Sequence, residues 1–117
     1  MENNIINDVL KKTEDVAFLS FDEAQSIAKE SFDNWKSEYI LRLKHLIKTN
    51  IAKCAENGEF NYVYSSEIMP SQKVEALLVA IEDEIIPNLL GYSIDFAILT
   101  QTDNFNNARM QMCISWE

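Results

Sequence analysis

Two glycines, two prolines, two cysteines and one histidine among 117 residues leave little for the chemistry that small proteins usually carry. Gly58 and Gly91 stand alone, so neither a GxGxxG nor a GxxxxGK[ST] phosphate loop can be written. The same scarcity excludes collagen-like, linker-like and low-complexity chains. No apolar run approaches the roughly 18 residues that span a bilayer. Met1–Leu10 has no basic leader segment, so neither a membrane protein nor a secreted precursor is expected.

Metal and nucleophile chemistry fare no better. A helical zinc site around His45 needs a second ligand one turn away, and the positions there hold Leu41, Arg42, Lys48 and Thr49. Cys54 and Cys113 lie far apart and form no CxxC pair, which predicts two reduced thiols rather than a disulfide. Neither thiol has a spare imidazole to serve as its base. Glu82, Asp83 and Glu84 are consecutive on a predicted helix, about 100° apart, so they cannot converge as an acid–base pair. No catalytic residue, metal or cofactor is expected.

What the chain does contain is acid and apolar surface. It carries 19 acids against 10 bases, a formal net charge of −9, with 47% hydrophobic residues. The length suits one domain that buries roughly 65% of the unfolded chain's surface. Whole-chain charge opposes binding to double-stranded DNA.

Asn4–Lys12 has Ile5, Ile6, Val9 and Leu10 at helical spacing. Ser20-Phe21-Asp22-Glu23 is a capping box, with Leu19 and Ala24 placed as a hydrophobic staple. The helix that starts there meets no stop until Asn57-Gly58. Phe21, Ala28, Phe32, Trp35, Tyr39, Leu43 and Leu46 fall within an arc of about 80° along it. Such a helix is roughly 55 Å long, whereas a compact domain of this size is only about 35 Å across. The expectation is a kink, or an end that projects and needs cover.

After Gly58, residues 60–65 alternate as a half-buried strand. Pro70-Ser71 opens a second long helix with Val74, Leu77, Leu78, Ile81 and Ile85 on one face, bent at Pro87 and ended at Gly91. Residues 94–99 and Ala108–Trp116 follow as strands, joined by the polar loop Gln101–Asn107. In the last strand Ala108, Met110, Met112, Ile114 and Trp116 share one face. The predicted fold is α+β, a two-layer α-α-β-α-β-β arrangement. A three-stranded sheet with a C-terminal antiparallel hairpin packs on two long helices. Residues 1–117 form a single domain in this reading, with 1–40 as a helical N-terminal extension. A crossover through the second helix lays the first strand parallel to one of the others.

Two constellations point to binding. Phe32, Trp35 and Tyr39 lie on the part of the long helix farthest along the chain from the sheet, which predicts either an exposed aromatic interface for self-association or for a partner protein, or rings covered within the chain as core by the first helix and the sheet. Residues 39–55 hold Arg42, Lys44, Lys48 and Lys53 and no acid, within an otherwise acidic chain. Arg42, Lys48 and Lys53 are the candidate anion-binding residues. Their bland reading is a solvated, dipole-matched helix end, because Arg42 and Lys53 lie on one flank of the apolar stripe and Lys48 on the other.

The run Asn50-Ile51-Ala52-Lys53-Cys54-Ala55-Glu56-Asn57-Gly58-Glu59-Phe60 resembles the helix-to-strand junction of many small, functionally unassigned bacteriophage proteins. Leu89-Leu90-Gly91-Tyr92-Ser93-Ile94 and the ending Ile114-Ser115-Trp116 are similar to them as well. The resemblance implies a phage origin and an α+β fold, and brings no catalytic residues with it. Together these readings predict a non-catalytic accessory protein of the host-cell cytoplasm that engages or neutralises a host factor. The alternatives are a virion component packed through the long helix, or an oligomer that sequesters a phosphorylated small molecule.

Overall fold

Ser20 starts the long helix as a cap should. Its hydroxyl oxygen accepts the Glu23 backbone N–H at 3.1 Å, and its carbonyl accepts that of Ala24 at 2.9 Å. The computed structural model describes residues 17–104 and 106–117. The helix expected over Asn4–Lys12 lies outside the described residues. Helix α1 then runs unbroken over Phe21–Glu56, with Asp22 and Glu23 in its first turn and Lys53 in its last. The staple partners Leu19 and Ala24 both remain exposed. Gly58 closes the helix at a φ of +79°, and Glu59 N–H bonds back to the Cys54 carbonyl at 2.8 Å. Only glycine takes that backbone angle without strain.

The chain divides into two compact units, Met1–Asp33 and Asn34–Glu117, with the division inside α1. In the first, Phe18, Phe21 and Ile27 are exposed and Phe32 is half-buried. The second holds the rest of α1 and everything after it: β1 (Asn61–Ser65), β2 (Met69–Pro70), α2 (Ser71–Glu84), a 3-10 turn (Ile86–Asn88), β3 (Ser93–Thr100) and β4 (Asn107–Ser115). This is the α+β fold expected, with a four-stranded antiparallel sheet that ends in the β3–β4 hairpin.

The C-terminal strand is central. β3 pairs along one edge of β4, from Ser93 opposite Ser115 to Thr100 opposite Ala108. β1 pairs along the other edge, from Asn61 opposite Ser115 to Ser65 opposite Gln111, and β2 continues it opposite Ala108 and Asn107. β1 and β3 are therefore parallel to each other with β4 between them. The crossover through α2 thus produces the parallel relation expected, across an inserted strand. β2 escapes period-two analysis because two residues define no alternation.

The chain leaves the ladder between β1 and β2, and Ser66 repairs it. Ser66 N–H donates to the Met110 carbonyl at 2.8 Å, while its buried hydroxyl accepts the Met110 N–H at 2.8 Å. A side chain here stands in for a missing strand carbonyl, and no buried side-chain polar atom among the described residues lacks a partner.

The core is one cluster. Ala108, Met110, Met112 and Ile114 on β4 are wholly buried, as are Val74, Leu77 and Ile81 on α2. From α1 it takes Ile40, Leu43 and Ile47. That seam is turned about a quarter of a helical revolution from the stripe read in the sequence. Leu46 and Phe21, both on the stripe, are exposed, while Ile40 and Ile47, both off it, are buried. α2 ends at Glu84 rather than bending at Pro87 and running on to Gly91. Pro87 sits instead in the first positions of the 3-10 turn, where a missing N–H costs little. The Asn88 amide donates to the Glu84 carbonyl at 3.0 Å. Gly91, at a φ of +91°, turns the chain into β3.

Candidate binding clefts on the two flanks of the long helix

Because the buried seam of α1 is Ile40, Leu43 and Ile47, its two flanks stand free of the core's centre. At 100° per residue, Trp35, Tyr39, Arg42 and Leu46 fall on one flank, and Lys44, Lys48 and Ile51 on the other. Each flank borders a cleft.

The first cleft, of about 580 Å³, lies between α1, the end of β1, the Glu67–Pro70 segment and the start of α2. Its aromatic wall is Trp35, Tyr39 and Tyr64, with Trp35 and Tyr39 ring centroids 5.6 Å apart. Lys73 from α2 places its Nζ 4.5 Å from the Trp35 ring centroid, a cation–π distance. The Tyr39 and Tyr64 hydroxyls hydrogen-bond to each other and tie α1 to β1. Arg42 and Glu67 line it as well, so two cations and one carboxylate surround this cleft.

Burial pushes the Tyr64 hydroxyl well above the usual tyrosine range, helped by its bond to Tyr39 and by the Glu67 charge. Tyr39 is raised too, mainly by burial, with the Tyr64 bond opposing. Both shifts favour the neutral phenols in the folded state. The stability they contribute is complete below the unfolded tyrosine value near 10 and is lost as pH rises beyond it. Urea midpoints should hold level from pH 8 to about 9.5 and fall by pH 11. The Tyr39→Phe/Tyr64→Phe double variant should show a shallower fall, with the remainder owed partly to Tyr62, which burial also raises. Identical slopes for the two proteins would mean that the pair has no part in the alkaline loss.

The second cleft, of about 470 Å³, lies on the other flank, between the C-terminal half of α1 and the segment 85–92. Ile47 and Ile85 are buried in its floor, Ile51, Leu89 and Tyr92 line its walls, and Lys44 and Lys48 stand one turn apart along its edge. No acidic residue among the described residues lines it. Tyr92 packs edge to face with Trp116, their ring centroids 6.1 Å apart.

The residues singled out in the sequence are thus distributed rather than gathered. Trp35 and Tyr39 line the first cleft and pack on the core's margin, while Phe32 belongs to the other compact unit. Arg42 lines the first cleft, Lys48 the second, and Lys53 is exposed and lines neither. Arg42 and Lys53 share a flank but are roughly 16 Å apart along the axis. Tyr64, Glu67 and Lys73 were not foreseen. Lys73 did carry a signal, since it and Arg109 are the only cations after Lys53.

His45 is exposed on α1, and Cys54 and Cys113 are free and half-buried. Glu82, Asp83 and Glu84 are exposed, as a solvated helix face requires. Among the described residues no group of three histidine, cysteine or acidic side chains is placed to hold a metal ion. No described helix is long and apolar enough to cross a membrane. No protein-family model, curated protein or solved structure gives a significant match to the chain.

Proposed function

We propose that this chain is a non-catalytic accessory protein of bacteriophage type that engages a host protein in the cell cytoplasm through the first cleft. The observation that carries the reading is the make-up of that cleft. Trp35, Tyr39, Tyr64 and Arg42 border one concave opening, and tryptophan, tyrosine and arginine are the residues that dominate binding energy at protein interfaces. They are held ready. The phenol pair and the Lys73–Trp35 contact fix rings and cation before any partner arrives, which lowers the ordering cost of association.

The charge pattern suggests what enters. Arg42 and Lys73 stand on the rim of a chain whose net charge is −9. A partner segment that offers an apolar or aromatic side chain flanked by a carboxylate would stack on the rings and pair with the cations. The bacteriophage part of the reading comes from the resemblance of residues 50–60, 89–94 and 114–116.

Affinity capture from bacterial lysate should test it, comparing the native chain with an Arg42→Glu/Lys73→Glu variant. A host protein retained by the native chain should be retained at least tenfold less by the variant. A photo-crosslinker in place of Leu46 should join that protein to the cleft. Equal retention by both chains, or crosslinks only to a second copy of this chain, would overturn the proposal.

A further inference from the structure

We propose that the second cleft is a separate binding site for a free, single-chain amphiphile with an anionic head and an aliphatic tail. The tail is specified by the walls. Ile47, Ile51, Ile85 and Leu89 provide branched aliphatic surface, and of the polar side chains beside them Asn88 has one amide N–H committed to the Glu84 carbonyl. Hydrogen-bonding groups set against these four aliphatic side chains would go unmatched, at a cost that a hydrocarbon tail does not incur. The volume, about 470 Å³, lies within the range of small-molecule sites.

The head is specified by charge. Lys44 and Lys48 are one turn apart on the same edge of the cleft, with no carboxylate among the described residues that line it. Their hydrocarbon stems can lie along the apolar wall while both ammonium groups reach one anion at the mouth. The chain as a whole carries 19 acids against 10 bases, whereas this edge sets two cations against no described carboxylate. The site shares no residue with the first cleft and stands whether or not that cleft binds a protein.

Decanoate, kept below its aggregation concentration, is the probe. Titrated into the isotopically labelled native chain, it should move the amide resonances of Ile51, Ala52, Leu89 and Tyr92, and leave those of Trp35 and Tyr39 in place. Decan-1-ol, which has the tail without the charge, should bind at least fivefold more weakly. Lys44→Glu/Lys48→Glu should weaken decanoate at least tenfold and leave decanol nearly unchanged. Ala52→Trp, on an exposed lining position, should block both by filling the groove. Anionic phosphatidylglycerol vesicles should not sediment the protein, which separates a free amphiphile from a membrane surface. Shifts scattered over exposed apolar residues, decanol equal to decanoate, or unchanged affinity in the charge-reversed variant would each overturn the proposal.

Discussion

Replacing Leu77 by alanine is expected to lower the unfolding free energy by about 2–5 kcal/mol. Leu77 is wholly buried on α2, in the same cluster as Met110, Met112 and Ile114 of the central strand. Truncation removes its transfer free energy and leaves a cavity that the surrounding elements cannot close. The sheet beneath it is pinned on both edges of β4, and α2 is held at its start by β2 and at its end by the 3-10 turn. A domain of this size has only about 5–15 kcal/mol in total, so the loss is a large share of it. Val79, on the same helix but 60% exposed, is the control. Val79→Ala should stay within about 0.5 kcal/mol. Urea unfolding with an unchanged slope would report both values. Equal losses at the two positions would mean that α2 does not face the sheet as described.

Ser66→Ala is expected to cost about 1–3 kcal/mol although it removes a single oxygen. That oxygen is the acceptor for the Met110 N–H in the middle of the most buried strand. Without it the donor is left unsatisfied where water does not replace the partner, so the desolvation penalty stands in full. The effect should be local as well as global. Hydrogen exchange should show Met110 losing protection ahead of Met112, whose partners are ordinary strand residues on both sides. If both amides stay protected and the midpoint does not move, the backbone has closed the gap by itself and the serine is incidental.

Legibility differed sharply between elements. The start of α1 was plain because Ser20 and Glu23 act on backbone groups within one turn. Its end was plain because Gly58 takes a backbone angle other residues avoid. β4 was readable as well, since four apolar side chains alternate cleanly with polar ones and all four are wholly buried. β2 was not readable, being two residues long and paired only because the chain happens to pass β4 there. Pro87 led the reading astray in the opposite sense. A proline suggests a bend within a helix, yet here it lies beyond the end, in the turn that leaves α2.

The candidate sites were half legible. Trp35, Tyr39 and Arg42 were visible as an aromatic group next to a cation on one helix, but their cleft is completed by Tyr64, 25 positions after Tyr39, and by Lys73 further along still. No local pattern links residues that distant. The basic cluster looked like one feature in sequence and is two in space, since Arg42 and Lys48 stand on opposite flanks of the seam.

By itself, then, the amino-acid sequence determined where the long helix begins and ends, which face of the last strand is buried, and the α+β class. These follow from forces that act within a turn or along a strand: capping, glycine's backbone freedom and the alternation of side chains. Only the tertiary structure decided that the C-terminal strand is central, that Ile40 and Ile47 join Leu43 in the buried seam of α1 in place of the rest of the stripe, and that a cleft borders each flank of that seam. A helix offers several apolar faces of similar merit. Which one is buried depends on the shape of the surface it meets, and here that surface is built from residues that follow it in the chain.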